Sequence, residues 1–194
     1  MCKNVVTAAL MALALAVNAR PACAQGDLSL GYAFTRLAAA GGRMNLPVGL
    51  GVEYAHPLVD RWKVLGTLGW SQRHDGSDVE ALPFDATFRQ LTAGGGARWD
   101  APLDPGARVY VQAAAGVVRS AFRESADGLF AFDMSSIDFM IRPGVGFVSG
   151  LTGRVGVFGQ LDYQAIWPHA NSAMYPPGTV NALRAYAGMR FRLP

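Results

Sequence analysis

The chain has 194 residues, of which 51% are hydrophobic and 16% charged, and its formal net charge is +3. This length predicts a single domain. The small charge excess does not point to nucleic acid as a partner, and two cysteines are too few for a disulfide framework.

The first predicted element is an export signal. Lys3 precedes an apolar run from Val5 to Val17, and Ala22-Cys23-Ala24 matches a small-x-small cleavage site. The run is too short to cross a bilayer as a helix. We therefore predict that residues 1–24 are a secretory signal peptide and that residues 25–194 form the mature domain. The alternative is a lipoprotein signal acylated at Cys23, although no aliphatic side chain stands three positions before it.

Cleavage after residue 24 changes the composition of the mature chain. Both cysteines leave with the signal, so neither a disulfide nor a thiolate metal site is expected, and the sequence indicates no metal and no cofactor. Removing Lys3 and Arg20 leaves 15 basic against 14 acidic residues. No later segment has 18 consecutive apolar residues, so no transmembrane helix is predicted.

Eight segments of the mature chain alternate with period two, as β-strands do. In each, one face is apolar and almost free of charge, whereas the other carries Gly, polar and charged residues. Trp62 and Trp70 share an apolar face eight residues apart, which on a tilted strand is about 20 Å along a membrane normal. Pro143 predicts a local bulge, because proline cannot donate to a ladder. The predicted strands are 27–34, 46–55, 62–72, 88–99, 108–118, 136–148, 154–166 and 181–193.

The connections between these strands alternate in length. Residues 56–61, 100–107 and 149–153 form short links rich in Pro, Gly and Asp, whereas 35–45, 73–87, 119–135 and 167–180 form long ones. Long loops at one end and tight turns at the other are typical of outer-membrane barrels. A secreted β-sandwich or lipocalin-like barrel is the alternative, but charges recur at mid-strand on the polar face, and the apolar face has almost none.

The last strand carries a second signal. Tyr186, Gly188, Phe191 and Leu193 resemble the C-terminal insertion signal of outer-membrane proteins, although Pro194 follows where such chains usually end on an aromatic residue. In pattern and length the whole of residues 25–194 resembles the small eight-stranded barrels typified by the OmpA transmembrane domain and OmpX. The expected fold is all-β: an eight-stranded antiparallel up-and-down transmembrane β-barrel, with short periplasmic turns and long extracellular loops, in the bacterial outer membrane.

Charged side chains on the inward face form the first candidate site. An eight-stranded barrel is barely wide enough for its own side chains, so these charges are expected to pair in an interior polar network that closes the barrel. The alternative is a narrow channel for small solutes. The network residues are Glu53, Lys63, Arg98, Asp138, Arg142, Asp162, Arg184 and Arg190.

A second candidate site lies in the last predicted loop. His169-Ala170-Asn171-Ser172 resembles the motif of the lipid A deacylase family of outer-membrane barrels, in which His is the general base for a Ser nucleophile. Only His169 matches in place, because Asn171 and Ser172 stand in exchanged order. No Asp or Glu follows Asp162 to orient the His from the last strand. An ordinary polar loop is the alternative.

These patterns lead to three functional hypotheses. The first is a non-enzymatic barrel that serves envelope integrity or surface interaction. The second is a deacylase-type hydrolase using His169 and Ser172, and the third is the narrow channel. Expected partners are outer-membrane lipid, lipopolysaccharide and the barrel assembly machinery, and the sequence identifies no extracellular ligand. Arginines at the outer rim are expected to meet lipopolysaccharide phosphates.

Overall fold

The computed structural model describes residues 26–39, 42–79, 82–104, 106–126, 130–150, 153–169, 172, 174–175 and 178–194. The predicted signal peptide lies outside these residues and stays a prediction. The strands are β1 (Gly26–Ala39), β2 (Gly42–Leu46), β3 (Val48–Val59), β4 (Trp62–Val79), β5 (Leu82–Asp104), β6 (Ala107–Ala126), β7 (Phe130–Gly150), β8 (Val155–Trp167) and β9 (Val180–Leu193). No helix in the described part of the chain is long and apolar enough to cross a membrane.

The strands form one antiparallel sheet that closes on itself. β1 pairs with β9 from Gly26 opposite Leu193 to Ala38 opposite Asn181, which joins the two ends of the sheet. β2 and β3 both pair with β1 and lie end to end along it, interrupted at Pro47. Together they make one side of the cylinder, so nine strands build an eight-stranded barrel. The predicted up-and-down transmembrane barrel is confirmed.

The alternation of faces is also as predicted. In β9, Leu183 and Met189 are exposed on the outside of the barrel, whereas Arg184 and Arg190 are buried inside it. Trp62 lies directly opposite Trp99 at the periplasmic end of the outer surface, and Trp70 lies eight residues further along β4. Between these levels the outer surface is an apolar belt that includes Val64, Leu68, Leu91, Val111, Val117, Ile141, Val145 and Leu161.

The predicted strand boundaries are wrong at the extracellular end. β5 has 23 residues and β6 has 20, so most of residues 73–87 and 119–135, which were predicted as loops, continue the hairpin ladders. Residues 130–135, which were also predicted to lie in the third long loop, belong to β7. The alternation of polarity stops where the strands leave the membrane, but backbone hydrogen bonds between strands do not depend on it. The stretch 168–179 is the one long connection in which no described residue is in a strand.

The bulge predicted at Pro143 is absent. Ile141 pairs with Ala165 and Gly144 pairs with Asp162, so the register between β7 and β8 is the same on both sides of the proline. On the other edge, Pro143 remains paired with Ala113 of β6. Proline therefore interrupts pairing with β8 without inserting an extra residue, which a bulge requires.

Glycines on the inner wall make room for the largest inward side chains. A Cβ at Gly51 would collide with the guanidinium of Arg184 and lie 2.8 Å from the ring of Tyr186. Gly31, opposite Gly51 in the register, would meet the same ring at 2.9 Å. β1 and β3 thus have glycine on their inner faces at the level where β9 projects Arg184 and Tyr186 into the barrel. This is how a narrow barrel accommodates them.

Candidate functional site

The barrel interior contains two groups of buried ionic side chains. The group nearer the chain termini, which we call the periplasmic layer, consists of Asp27, Lys63, Arg98, Asp100, Arg108 and Arg190. Lys63 Nζ lies 2.5 Å from Asp27 Oδ2 and 2.7 Å from Asp100 Oδ2, and Arg98 Nε donates to Asp100 Oδ1 at 2.8 Å. Arg190 is in contact with Asp27 through Nη2. Two carboxylates therefore hold four cations.

The second ionic group, the central layer, has equal numbers of each charge. Its members are Glu53, Arg142, Gln160, Asp162 and Arg184. Arg142 Nη2 donates to Glu53 Oε1 at 3.2 Å, and Arg184 Nη1 donates to Asp162 Oδ2 at 3.2 Å. Gln160 Nε2 donates to Glu53 Oε1 at 3.1 Å and to Asp162 Oδ1 at 2.8 Å. Arg142 and Asp162 have no exposed side-chain surface, so each charge depends on its partners rather than on water.

Aromatic rings connect the two ionic layers. The Arg98 guanidinium stacks 3.3 Å from the centroid of the Tyr110 ring, and the Tyr110 hydroxyl donates to Gln160 Oε1 at 2.6 Å. Tyr186 meets Phe158 edge to face at 4.7 Å between centroids and donates to the carbonyl oxygen of Gly51 at 2.7 Å. The hydroxyls of Tyr110 and Tyr186 thus each have an acceptor, as a buried phenol requires.

An apolar cluster fills the extracellular end of the interior, and we call it the mouth cluster. From the last loop, Met174 and Tyr175 pack against it, and the Tyr175 hydroxyl lies 2.6 Å from Ser120 Oγ. Burial raises the pKa of Tyr175 above its usual value, since burial disfavours the phenolate. The buried members of the mouth cluster are Leu37, Leu46, Phe88, Val118, Met140, Ile166, Val180 and Ala182.

The predicted interior network divides among these groups. Lys63, Arg98 and Arg190 lie in the periplasmic layer, and the other predicted residues, with the exception of Asp138, lie in the central layer. Sequence reasoning missed Asp27, Asp100 and Arg108 because they were placed at strand ends or in a turn. The signal was present for the two acids: Asp27 is two residues before inward Ser29, and Asp100 is two residues after inward Arg98, so each shares its neighbour's face.

Asp138 is buried on the inner face of β7, but its partners are not arginines. Its Oδ1 lies 2.9 Å from His169 Nδ1 and accepts the His169 backbone N–H at 3.2 Å. Its Oδ2 accepts from Ser136 Oγ at 2.7 Å. His169 therefore has an orienting acid, which comes from β7 and not from the last strand, since β9 contains no Asp or Glu. The His169 side chain is 53% exposed at the rim.

Ser172 is not arranged as a nucleophile beside His169. Its backbone N–H donates to the carbonyl oxygen of His169 at 2.9 Å. Its hydroxyl is buried and makes no hydrogen bond with any described residue. The turn thus brings the two residues together through the backbone, without the hydroxyl-to-imidazole hydrogen bond of a nucleophile and its base.

The residues of the predicted insertion signal also have positions in the folded barrel. Tyr186 and Gly188 face the interior, whereas Phe191 and Leu193 are half-buried on the other face of β9. A Cβ at Gly188 would collide with the carbonyl oxygen of Leu30 across the closing seam. Two of the four residues are thus required by the packing of the barrel, whatever their part in its assembly.

Among the described residues, no three His, Cys, Asp or Glu side chains are grouped as metal ligands. In the same described part of the chain, the interior ionic layers and the Asp138–His169 pair at the rim are the candidate functional groups.

The comparisons with known proteins bear on the fold. No family model matches the chain, and no curated protein matches it. Among solved structures, the attachment invasion locus protein Ail of Yersinia pestis, in complex with the heparin analogue sucrose octasulfate, is 18% identical with a TM-score of 0.58, over 86% of this chain and 97% of that one. Neisserial surface protein A is 13% identical with a TM-score of 0.62, over 87% and 97%. At these identities the likeness shows that the chain has the fold of small outer-membrane β-barrels.

Proposed function

We propose that this protein is a small, closed barrel of the bacterial outer membrane that serves envelope integrity or surface interaction, with neither an open pore nor a catalytic step. The observation that carries the proposal is the filled interior. Two ionic layers, the aromatic rings between them and the mouth cluster occupy the barrel along its axis. The apolar belt on the outer surface requires a bilayer or a detergent to cover it.

Electrical recording tests the closed state. The purified protein is expected to give no steady conductance in planar bilayers, because the central layer leaves Arg142 and Asp162 without exposed surface. A stable open current in the wild type would instead favour the narrow channel for small solutes.

In cells, loss of the protein is expected to increase sensitivity to detergents or reduce attachment to surfaces. If neither changes, the proposed role is wrong.

The proposed partners follow from the outer surface. The apolar belt contacts lipid, and the exposed Arg119 just beyond it suits the phosphates of lipopolysaccharide. The barrel assembly machinery is the proposed partner of the last strand. Replacing Phe191 and Leu193 with Ser tests this, because both lie outside the interior network. Slower assembly in cells, with unchanged refolding in detergent, is the expected result.

A second candidate function is favoured by the Asp138–His169 contact. A buried carboxylate on Nδ1 orients an imidazole as a general base, as in hydrolases with a catalytic triad. This supports a lipid A deacylase-type activity with Ser172 as nucleophile, provided that the turn rotates the Ser172 hydroxyl toward His169.

Mass spectrometry of lipid A separates the two candidates. If the chain is a hydrolase, cells that contain it release a fatty acid and accumulate lyso-lipid A, and Ser172→Ala abolishes this change. Asp138→Asn is expected to reduce it strongly, because the amide no longer stabilises the imidazolium. Unmodified lipid A in cells with the wild-type protein would leave the non-enzymatic barrel as the function.

A further inference from the structure

We infer that the outer wall of β5, β6 and β7 carries a binding site for the phosphate of an outer-leaflet lipid, formed by Arg89, Arg119 and His169. The inference rests on the proposed function only in placing the barrel in the outer membrane. It places the lipid phosphate at one position on the outer wall. Non-specific contact between lipid and the arginines of the rim would favour no particular position.

The first observation is a pocket at the rim. It has a volume of about 430 Å³ and is lined by Arg119, Ser135, Ser136, Ile137 and His169. β8 ends at Trp167, opposite Phe139, so residues 130–138 at the edge of β7 that faces the last loop are not paired with β8. His169 lies against this edge, where Asp138 holds both its backbone and its ring. The lining of the pocket thus includes both an imidazole that Asp138 holds in place and a guanidinium.

The second observation is a pair of neighbouring cations on the outward face, Arg89 and Arg119. Arg119 pairs with Leu91 in the register, and Arg89 pairs with Ala121, so the two arginines are diagonal neighbours on the outward face. Both are exposed. Within the described residues neither side chain takes part in a salt bridge or hydrogen bond. Like charges this close on a sheet repel each other, and an anion between them removes the repulsion.

The position of the pocket determines the source of the anion. Arg119 is two residues beyond Val117, the last exposed large apolar side chain on the outward face of β6, and Arg89 is two beyond Leu91 on β5. Just below, the rings of Phe139 and Trp167 lie 5.8 Å apart. Aromatic side chains mark the level of lipid headgroups. A phosphate bound here is therefore attached to a lipid whose acyl chains lie along the belt.

Acidic side chains nearby do not oppose an anion. Asp138 is buried, and three donors already occupy its oxygens: the His169 backbone and ring, and Ser136 Oγ. Asp133 lies opposite Arg123 in the register, four residues beyond Arg119 along β6 and further from the membrane. The pocket thus presents cationic and neutral groups at headgroup level.

Native mass spectrometry of the detergent-purified barrel tests this assignment. The probes are phosphorylated lipid A, chemically dephosphorylated lipid A and inorganic phosphate. The wild type is expected to retain the phosphorylated lipid and not the dephosphorylated one. Arg119→Gln is expected to reduce retention about tenfold, since a charge-assisted hydrogen bond is lost. His169→Gln is expected to reduce it to a smaller extent.

Arg36→Gln is the matched control, because it removes an equally exposed rim arginine from β1, away from the pocket. It is expected to change retention less than about twofold. Equal losses in Arg36→Gln and Arg119→Gln, or equal retention of dephosphorylated lipid, would overturn the site. Displacement by inorganic phosphate at matched concentration would show a soluble phosphate site and refute the lipid assignment. Folding of each variant is checked by heat-modifiable migration on a gel, so that loss of lipid binding is distinguished from loss of the folded barrel.

Discussion

Arg142 holds the central layer together at the scale of single residues. Its guanidinium contacts Glu53 at 3.2 Å and Asp162 at 3.8 Å, and no part of its side chain is exposed. Arg142→Met removes one of two cations from between two buried carboxylates. Because a broken buried ion pair leaves an uncompensated charge, we expect a loss of about 3–5 kcal/mol in the free energy of unfolding, measured by denaturant titration in lipid vesicles.

Two further variants test this explanation of the loss. Adding Glu53→Gln to Arg142→Met restores the balance of charge and is expected to recover part of the stability. Arg43→Met removes an exposed rim arginine that has no ion pair among the described residues, so its effect should stay within about 0.5 kcal/mol. If Arg142→Met were no more harmful than Arg43→Met, the central layer would not be a source of stability.

Sequence alone predicts which charges face inward but not which of them meet. Period-two alternation places Glu53, Arg142 and Asp138 on one face of their strands, and the structure agrees. The register and the tilt of the strands decide the partners, and neither is visible in the alternation. Alternation therefore predicts that Asp138 belongs with the arginines, although in the structure it contacts His169, two residues beyond the end of β8. The orienting acid of His169 was missed for the same reason.

The closing seam between β1 and β9 is the element on which the cylinder depends. At Gly188 a Cβ would collide with the carbonyl oxygen of Leu30 and lie 2.5 Å from the Cα of Gly31. Backbone atoms cannot move aside as a flexible side chain can. We therefore expect Gly188→Ala to cost about 1–3 kcal/mol of stability and to reduce the folded fraction on a heat-modifiability gel.

Gly66→Ala is the control for the seam prediction. Gly66 also lies within a strand, but no atom lies within 4 Å of the Cβ that it would gain. This variant should fold as the wild type does. An equal loss in both variants would mean that strand glycines matter for flexibility, and not for the close approach of β1 and β9.

The length of the strands beyond the membrane shows where the period-two pattern stops predicting β-structure. Inside the bilayer, lipid on one side and packed side chains on the other impose alternation, so the central part of each strand was predictable. Beyond Arg119 on β6 lipid no longer imposes an apolar outer face, and the alternation fades while the ladder continues to Ala126. Pairing with β5 and β7 keeps these residues extended, and no single-strand pattern reports such pairing.

The apolar belt determines, at the scale of the whole molecule, which bilayer the barrel fits. On β4 the belt runs from Trp62 to Trp70, and on β6 from Val109 to Val117, after which Arg119 begins the polar rim. Eight residues on a strand tilted by about 40° span about 20 Å along the membrane normal. A bilayer thicker than the belt must thin locally around the barrel, at a cost that rises with the mismatch.

The belt height predicts a dependence of folding on lipid chain length. With the headgroup held constant, refolding into vesicles of lauroyl lipid should give more heat-modifiable folded protein than refolding into vesicles of oleoyl lipid. Replacing Gln72 and Arg119 with Leu extends the belt on two strands and should reduce that difference, because the apolar surface then matches the thicker bilayer better. Equal yields in both lipids for the wild type would mean that the outward apolar residues do not define the hydrophobic height of the barrel.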